Sequence, residues 1–193
     1  RNLSDAAVRT VVSLKDSKTD LSVDLYYDAY QKEDVIVTHA EITNGGRKPV
    51  VLESYASSAI NIHASRYLLT HFYGSWAREM QVKRELLTPG IKSIRSIKGV
   101  RTTHTENPSF MLSLDAAEFN ENYGEVIAGA LAWSGNYSID FQIDETEMLS
   151  VVSGAGTPGA DYQLKPGKTF QTPDMIYTFS AEGAGKASRN LHS

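Results

Sequence analysis

Cysteine and long apolar runs are both missing from this sequence. None of the 193 residues is cysteine, which excludes a disulfide scaffold and thiolate-bound metal. No apolar stretch approaches the roughly 18–20 residues that a membrane-spanning helix needs, and no signal peptide opens the chain. We therefore expect a globular domain held by a hydrophobic core, with no membrane partner. Both ends of the chain look cut, so the missing targeting segment indicates nothing about location, and a cytoplasmic location is a separate expectation.

An excess of positive charge is missing as well. The chain has 19 Lys and Arg against 23 Asp and Glu, a net charge of −4, whereas a nucleic-acid surface needs clustered cations. The only basic cluster spans residues 92–101, and its cations alternate with apolar residues at strand spacing: Lys92, Arg95, Lys98 and Arg101. This pattern predicts a solvated strand edge, and we expect no nucleic-acid partner.

Recognisable catalytic motifs are also absent. The sequence contains no Gly-x-Ser-x-Gly, phosphate-binding loop, His-Glu-x-x-His or dinucleotide fingerprint. The five histidines share no metal-ligand spacing and are interpreted as structural, so neither a metal nor a cofactor is expected: His39, His63, His71, His104 and His192. Two carboxylate pairs lie on a predicted hairpin facing water, so no catalytic pair is predicted from them: Asp140 with Asp144, and Glu145 with Glu147.

Short alternating segments make up most of the chain. In residues 21–30, Leu21, Val23, Leu25 and Tyr27 share one face, the period of a half-buried strand. About a dozen such strands are predicted, and only the tail, 183–193, has helical spacing. The turns between them favour two stacked antiparallel sheets in an all-β domain. The predicted strands are 8–14, 21–30, 35–42, 50–59, 78–87, 91–97, 108–114, 125–133, 138–143, 148–152, 161–164 and 175–179.

Two of the connections carry specific predictions. Residues 44–46 (NGG) predict a hairpin turn joining strand 35–42 to strand 50–59, because Asn and Gly tolerate the positive φ values of such turns. Residues 115–124 (DAAEFNENYG) predict a polar loop ahead of a buried central strand.

Residues 71–79 (HFYGSWARE) form the most distinctive stretch of the sequence. Gly74 permits a backbone bend, and Trp76 must either be buried or face a partner. Arg78 and Glu79 are predicted to brace the loop by a salt bridge or backbone hydrogen bonds. The other tryptophan, Trp133, follows a buried-looking strand and is interpreted as a core aromatic. Aromatic rings can bind sugars, whose C–H faces stack on them. For Trp76, burial in the core and contact with a sugar therefore both stay open.

In order along the chain, these segments resemble the amino-terminal region of bacterial α-galactosidases of glycoside hydrolase family 36. Residues 74–79 (GSWARE) are similar to that family's G-x-W-A-R-E signature. Ser109 stands between Asn107-Pro108 and Phe110, where the family has Asn-Pro-Phe. Further matches are 20–27 (DLSVDLYY), 33–38 (EDVIVT), 41–46 (EITNGG), 96–99, Thr103-His104, 123–126 (YGEV), 133–136 (WSGN), 164–167 (LKPG), 170–174 (FQTPD), Ser188-Arg189 and His192.

The resemblance implies a galactose-mutarotase-like antiparallel β-supersandwich that precedes a (β/α)₈ barrel. Residues 1–193 would then be one domain with a truncated start, and the barrel would follow residue 193. In that family the barrel carries both catalytic aspartates for retaining hydrolysis of α-galactosides such as melibiose and raffinose. The resemblance thus implies no catalytic residue in this chain, a sugar-facing Trp76 and a homotetramer.

Two alternatives to this reading remain open. The chain could be a free-standing sugar-binding module that works without a barrel. It could also be the same domain of an enzyme of altered chemistry, an α-N-acetylgalactosaminidase or a galactosyl transferase.

Overall fold

Fifteen antiparallel strands and one helix make up the described part of the computed structural model, which comprises residues 7–100, 106–115, 117–156 and 161–192. The predicted all-β class is confirmed. The bounds are β1 Ala7–Lys15, β2 Leu21–Tyr30, β3 Val35–Asn44, β4 Val50–Leu52, β5 Ser58–His63, β6 Tyr67–Ser75, β7 Arg78–Leu86, β8 Gly90–Ser96, β9 Glu106–Leu114, β10 Val126–Leu131, β11 Tyr137–Ile143, β12 Met148–Ala155, β13 Tyr162–Leu164, β14 Thr169–Gln171, β15 Met175–Ser180 and α1 Gly183–His192.

The larger of the two main sheets runs in the order β1-β2-β3-β15-β10-β9-β6-β7, with β14 also paired to β3. β15 comes from the end of the chain yet lies in the middle of the sheet, between β3 and β10. β6 and β7 form a hairpin at one edge, and this hairpin carries the 71–79 stretch.

The smaller sheet has the order β5-β12-β11-β8, and a third, two-stranded sheet pairs β13 with β4. The main core fills the space between the two larger sheets. There Phe110 of the large sheet meets Phe141 of the small sheet edge to face, with ring centroids 4.9 Å apart. Gly129 lies beneath the Phe110 ring, where an added Cβ would be 2.6 Å from a ring carbon. β8 is an edge strand, as the alternation of the basic cluster predicted.

The predicted tail helix is confirmed as α1, and it packs on the large sheet. Ala187 is buried against Phe119, Val126 and Ala128. Phe119 belongs to the predicted polar loop, so that loop is anchored by one buried ring. Gly183 opens the helix at φ +83, and a Cβ there would lie 2.5 Å from the carbonyl oxygen of Asn120, so glycine is required at this position.

The hairpin predicted at residues 44–46 is wrong in its pairing. β3 pairs with β14 and β15 on one side and β2 on the other, and β4 pairs with β13 instead. The chain leaves β3 because the buried Asn44 side chain donates to the carbonyls of Lys48 and Leu164, at 2.8 and 3.0 Å. Neither Gly45 nor Gly46 has positive φ; a Cβ on Gly45 would lie 3.0 Å from the Asp20 carbonyl oxygen.

The predicted strand 50–59 is also wrong, because it divides into β4 and β5, which belong to different sheets. The short strand β14 was not predicted. The Thr103-His104 pair and Arg101 of the basic cluster lie outside the described residues.

Candidate functional site

Residues 73–79 form the tip of hairpin β6–β7, and the rest of its two strands, which includes His71, forms its base. Ser75 pairs with Arg78, so the loop consists of Trp76 and Ala77 alone, and Ala77 adopts φ +61. A β-bulge between Tyr73 and Ser75 bends the strand there. Gly74 is needed for close approach, since a Cβ would lie 2.9 Å from the Arg78 carbonyl oxygen.

Trp76 projects from this tip with 82% of its surface exposed. The core reading of Trp76 therefore does not hold within this chain. Four further apolar side chains of the same hairpin are exposed: Tyr73, Met80, Val82 and Leu86. An exposed patch of large apolar residues is a common mark of an interaction site.

Arg78 and Glu79 follow the loop directly. A Glu79 carboxylate oxygen accepts a hydrogen bond from the Ala77 amide at 3.1 Å, across the residue with positive φ. Among the described residues, the Arg78 guanidinium has no hydrogen-bond or ion-pair partner. The bracing role of both residues stays a prediction.

The base of the hairpin carries an ionic cluster, centred on a buried histidine, that the sequence did not reveal. His71 is 1% exposed, and its two ring nitrogens lie 2.9 Å from carboxylate oxygens of Glu106 and Glu85. Lys92 contacts the Glu85 carboxylate at 2.7 Å, and Lys83 contacts it at 3.3 Å. We call these five residues the His71 cluster; it joins β6, β7, β8 and β9.

Glu85 carries the largest change in acidity within the His71 cluster. Burial alone would raise the pKa of its carboxyl, but hydrogen bonds from Lys92, His71 and Lys83 outweigh that effect and lower the pKa to about 2. Glu85 is therefore ionised at any physiological pH. It acts as a fixed negative charge between cationic partners, which suits a structural brace and not proton transfer.

An open cleft of about 410 Å³ lies between this hairpin and the end of β8. Its lining combines one aromatic ring with cationic, anionic and hydroxyl groups, a set that can bind a hydroxylated ligand: Tyr73, Gly74, Ser93, Arg95, Ile97, Lys98 and Glu106.

Trp133 corrects a sequence-based expectation. The ring is 45% exposed and is not a core aromatic, because its indole N–H donates to the Asn136 carbonyl at 3.0 Å and this holds it over the β10–β11 turn. Trp133 lines a second open cleft, of about 590 Å³. We call it the Trp133 cleft; its other principal side chains are Tyr55, Asn136, Phe170, Gln171 and Asp174.

Of the carboxylates considered from the sequence, Asp140 and Asp144 have local structural roles. Asp144 accepts hydrogen bonds from the Thr146 hydroxyl and amide and from the Met148 amide, which lower its pKa and close the β11–β12 turn. The Asp140 carboxylate accepts a hydrogen bond from the Ser138 hydroxyl at 2.7 Å. In the described ranges no three His, Asp or Glu side chains are grouped to hold a metal ion.

Comparison with solved structures first defines the class of fold. A galactose mutarotase-like protein from Lactobacillus casei aligns with 92% of this chain and 71% of its own, with a TM-score of 0.52 and 13% identity. At that identity the likeness shows the fold alone: a β-supersandwich of the galactose-mutarotase type.

The chain belongs to the glycosyl hydrolase family 36 N-terminal domain family, whose model matches residues 2–165. It is 33% identical to the α-galactosidase Mel36A of Lactobacillus acidophilus, over 98% of this chain and 25% of that protein. The α-galactosidase from Lactobacillus brevis superimposes on 97% of this chain and 25% of its own with a TM-score of 0.91 and 32% identity.

Geobacillus stearothermophilus AgaA, an A355E D478A variant solved in complex with stachyose, covers 97% of this chain and 26% of its own, with 28% identity and a TM-score of 0.91. The chain thus corresponds to the N-terminal part of family 36 α-galactosidases and spans about a quarter of their length.

In the described part of the chain, no helical segment has the length and hydropathy that a bilayer span requires.

Proposed function

We propose that this chain is the non-catalytic amino-terminal domain of an α-galactosidase that hydrolyses terminal α-galactosides. The relatives are α-galactosidases, and structures of AgaA variants are complexes with stachyose and raffinose. The reacting carboxylates would belong to a (β/α)₈ barrel following residue 193, with a retaining mechanism. The role of this chain is to shape the sugar pocket and to take part in a homo-oligomer, in a cytoplasmic enzyme.

The observation that carries this proposal is the exposure of Trp76 on a hairpin with a fixed base. An indole that is 82% exposed gains nothing from the core of its own chain, so its apolar face is available to a ligand or a second surface. We propose that Trp76 forms one wall of the galactoside pocket, while Arg78 and Glu79 keep the two-residue loop in shape.

The test is Trp76→Ala in the full-length enzyme, with Trp76→Phe as the matched control that keeps a ring. Loss of the ring should lower kcat/KM for raffinose by about 10- to 100-fold, equivalent to about 1.4–2.8 kcal/mol. The melting temperature should change by less than about 2 °C, because surface substitutions have small effects. Unchanged turnover, or a fall in melting temperature typical of a core residue, would refute the pocket-wall role.

Two further measurements separate the alternatives. A stop codon directly after the codon for Ser193 would favour a free-standing sugar-binding module. Faster turnover of an α-N-acetylgalactosaminide than of raffinose, or galactosyl transfer in place of hydrolysis, would identify a parent enzyme of altered chemistry.

A further inference from the structure

The Trp133 cleft has the composition of a ligand site and shares no residue with the hairpin that carries Trp76. It is built where the β10–β11 turn, the β14–β15 connection, the end of β12 and Tyr55 meet. Its volume of about 590 Å³ falls within the range of small-molecule sites.

The aromatic wall of the Trp133 cleft is fixed before any ligand binds. Gly135 lies against the indole, where a Cβ would be 2.6 Å from the ring nitrogen, and the indole N–H is held by the Asn136 carbonyl. Phe170 packs edge to face with Tyr55, at a centroid distance of 4.7 Å. Rings positioned in this way lose little conformational freedom on binding.

The loops that carry the polar groups are tied to the sandwich. The Asn136 side-chain oxygen accepts from the Gly99 amide at 2.6 Å, and its backbone carbonyl accepts from the Gly156 amide at 2.7 Å. On the other side of the cleft, buried Thr172 exchanges hydrogen bonds with the amide and carbonyl of Ala40, both at 2.9 Å. Asp174, next but one to Thr172, is therefore held beside the cleft, with one carboxylate oxygen 3.2 Å from His39 Nδ1.

Several hydrogen-bonding groups remain available there. The Tyr55 hydroxyl has no partner among the described residues, and burial raises its pKa, so it stays protonated as a donor. The Asp174 side chain is 40% exposed, and Gln171 adds an exposed carboxamide. The described lining contains no Lys or Arg, which disfavours phosphate and other anions.

We propose that the Trp133 cleft is a saccharide-binding site in which a pyranose ring stacks on Trp133 and its hydroxyls bond to Asp174, Gln171 and Tyr55. A neutral ring with one apolar C–H face and several hydroxyls matches an aromatic wall flanked by one carboxylate and two amides. A methylated ammonium ion would use the rings and the carboxylate but would leave the amides and the Tyr55 hydroxyl unpaired. This assignment does not depend on the role of Trp76.

The two tryptophans allow the site to be tested by fluorescence in the 193-residue chain. In Trp76→Phe, Trp133 is the only indole, and methyl β-D-galactopyranoside should change its emission saturably, with a Kd near 1 mM. Trp133→Phe, which leaves Trp76 as the reporter, should show no saturable change. Mannitol tests for a polyol without a ring face, and choline tests for a quaternary ammonium ligand; neither should bind.

The polar contacts are tested by Asp174→Asn in the Trp76→Phe background, with Asp161→Asn as an exposed carboxylate outside the cleft. Asp174→Asn should weaken binding at least fivefold, whereas Asp161→Asn should leave the Kd unchanged. Equal Kd values for the two variants would overturn the proposed recognition of the sugar by Asp174.

Hydrogen exchange on the full-length polypeptide decides the question in its native context. Methyl β-D-galactopyranoside keeps the galactose ring but lacks the α-linkage that the proposed activity cleaves. It should slow exchange in residues 131–136 and 170–174, and Trp133→Ala should abolish that protection while any protection at 71–79 persists. Protection at 71–79 alone, unchanged exchange in both cleft segments, or binding of choline or mannitol in place of the galactoside would overturn the saccharide site. A failure of this site leaves the Trp76→Ala test of the proposed function unaffected.

Discussion

The two ends of hairpin β6–β7 have opposite surroundings. At the base, His71 is 1% exposed and lies between two carboxylates on neighbouring strands. At the tip, Trp76 is 82% exposed, and one side-chain hydrogen bond within the described residues, from the Ala77 amide to Glu79, spans its loop. The difference shows that the contacts which hold this hairpin lie in its base, so that the exposed tip needs few contacts of its own.

The largest effect is expected from His71→Ala, which removes the centre of the His71 cluster. The variant removes a buried ring and its hydrogen bonds to Glu85 and Glu106, which should cost about 2–4 kcal/mol of unfolding free energy. Lys83→Ala is the matched control at the exposed side of the cluster and should cost less than about 1 kcal/mol. Urea unfolding measures both, and equal losses would show that burial of His71 contributes nothing special.

The second prediction concerns how the stability contributed by Glu85, in the base of the hairpin, depends on pH. The folded pKa of Glu85 is about 2, below its ordinary value of 4.5, so the fold favours the ionised carboxylate. Its contribution, on the order of 2 kcal/mol, is complete above about pH 5 and is lost as the pH falls towards 2. The stability difference between the native chain and Glu85→Gln should therefore be constant from pH 6 to 8 and shrink in acid. A difference that grows in acid would contradict this assignment.

Gly74→Ala tests whether the bend at Gly74 fixes the position of the hairpin tip relative to its base. The added Cβ would meet the Arg78 carbonyl oxygen and the Glu79 Cα, both at 2.9 Å, so the backbone must move at a cost of about 1–2 kcal/mol. The control is Ser75→Ala, at an exposed neighbouring position, which should lower the free energy of unfolding by less than about 0.5 kcal/mol. Thermal unfolding of the two variants gives the comparison, and equal melting temperatures would mean that the tip adapts freely.

The smallest effect is expected at the tip itself, from Glu79→Ala. This change removes the exposed hydrogen bond to the Ala77 amide and should lower stability by about 0.5 kcal/mol. If Glu79 braces the loop, kcat/KM of the full-length enzyme should fall more than stability predicts, and Glu79→Gln, which keeps an acceptor oxygen, should restore it. Turnover that is unaffected by Glu79→Ala would remove the bracing role.

Local patterns predicted much of the fold. The alternation in residues 21–30 located β2, and the helical spacing of the tail located α1. The burial of β2 does not follow that alternation, since Tyr27 is exposed and Asp28 is buried in an ion pair with Arg9. The turn at 44–46 was located correctly, but its partner strand was wrong. Asn44 forms its decisive bond with Leu164, 120 positions along the chain, and no local rule contains that contact.

The candidate site was likewise predicted only in part from the sequence. The unusual composition of residues 71–79 was visible in the sequence, whereas the His71 cluster joins four strands whose registers must be known first. One signal was available: charged residues at 83 and 85 alternate on one face of a predicted strand, but alternation alone predicts solvent exposure. Trp133 was misjudged because the strand before it is buried, and the glycine-containing turn that lifts the ring to the surface begins only at residue 134.

The central place of β15 has a consequence for the synthesis of this domain. The family model ends at residue 165, before β14 and β15, so a truncation there would divide the large sheet into β1-β2-β3 and β10-β9-β6-β7. During synthesis, the edges of β3 and β10 that pair with β15 stay without that partner until residue 180 has left the ribosomal exit tunnel. Unpaired strand edges favour aggregation, so these two edges remain a liability until β15 has been synthesised.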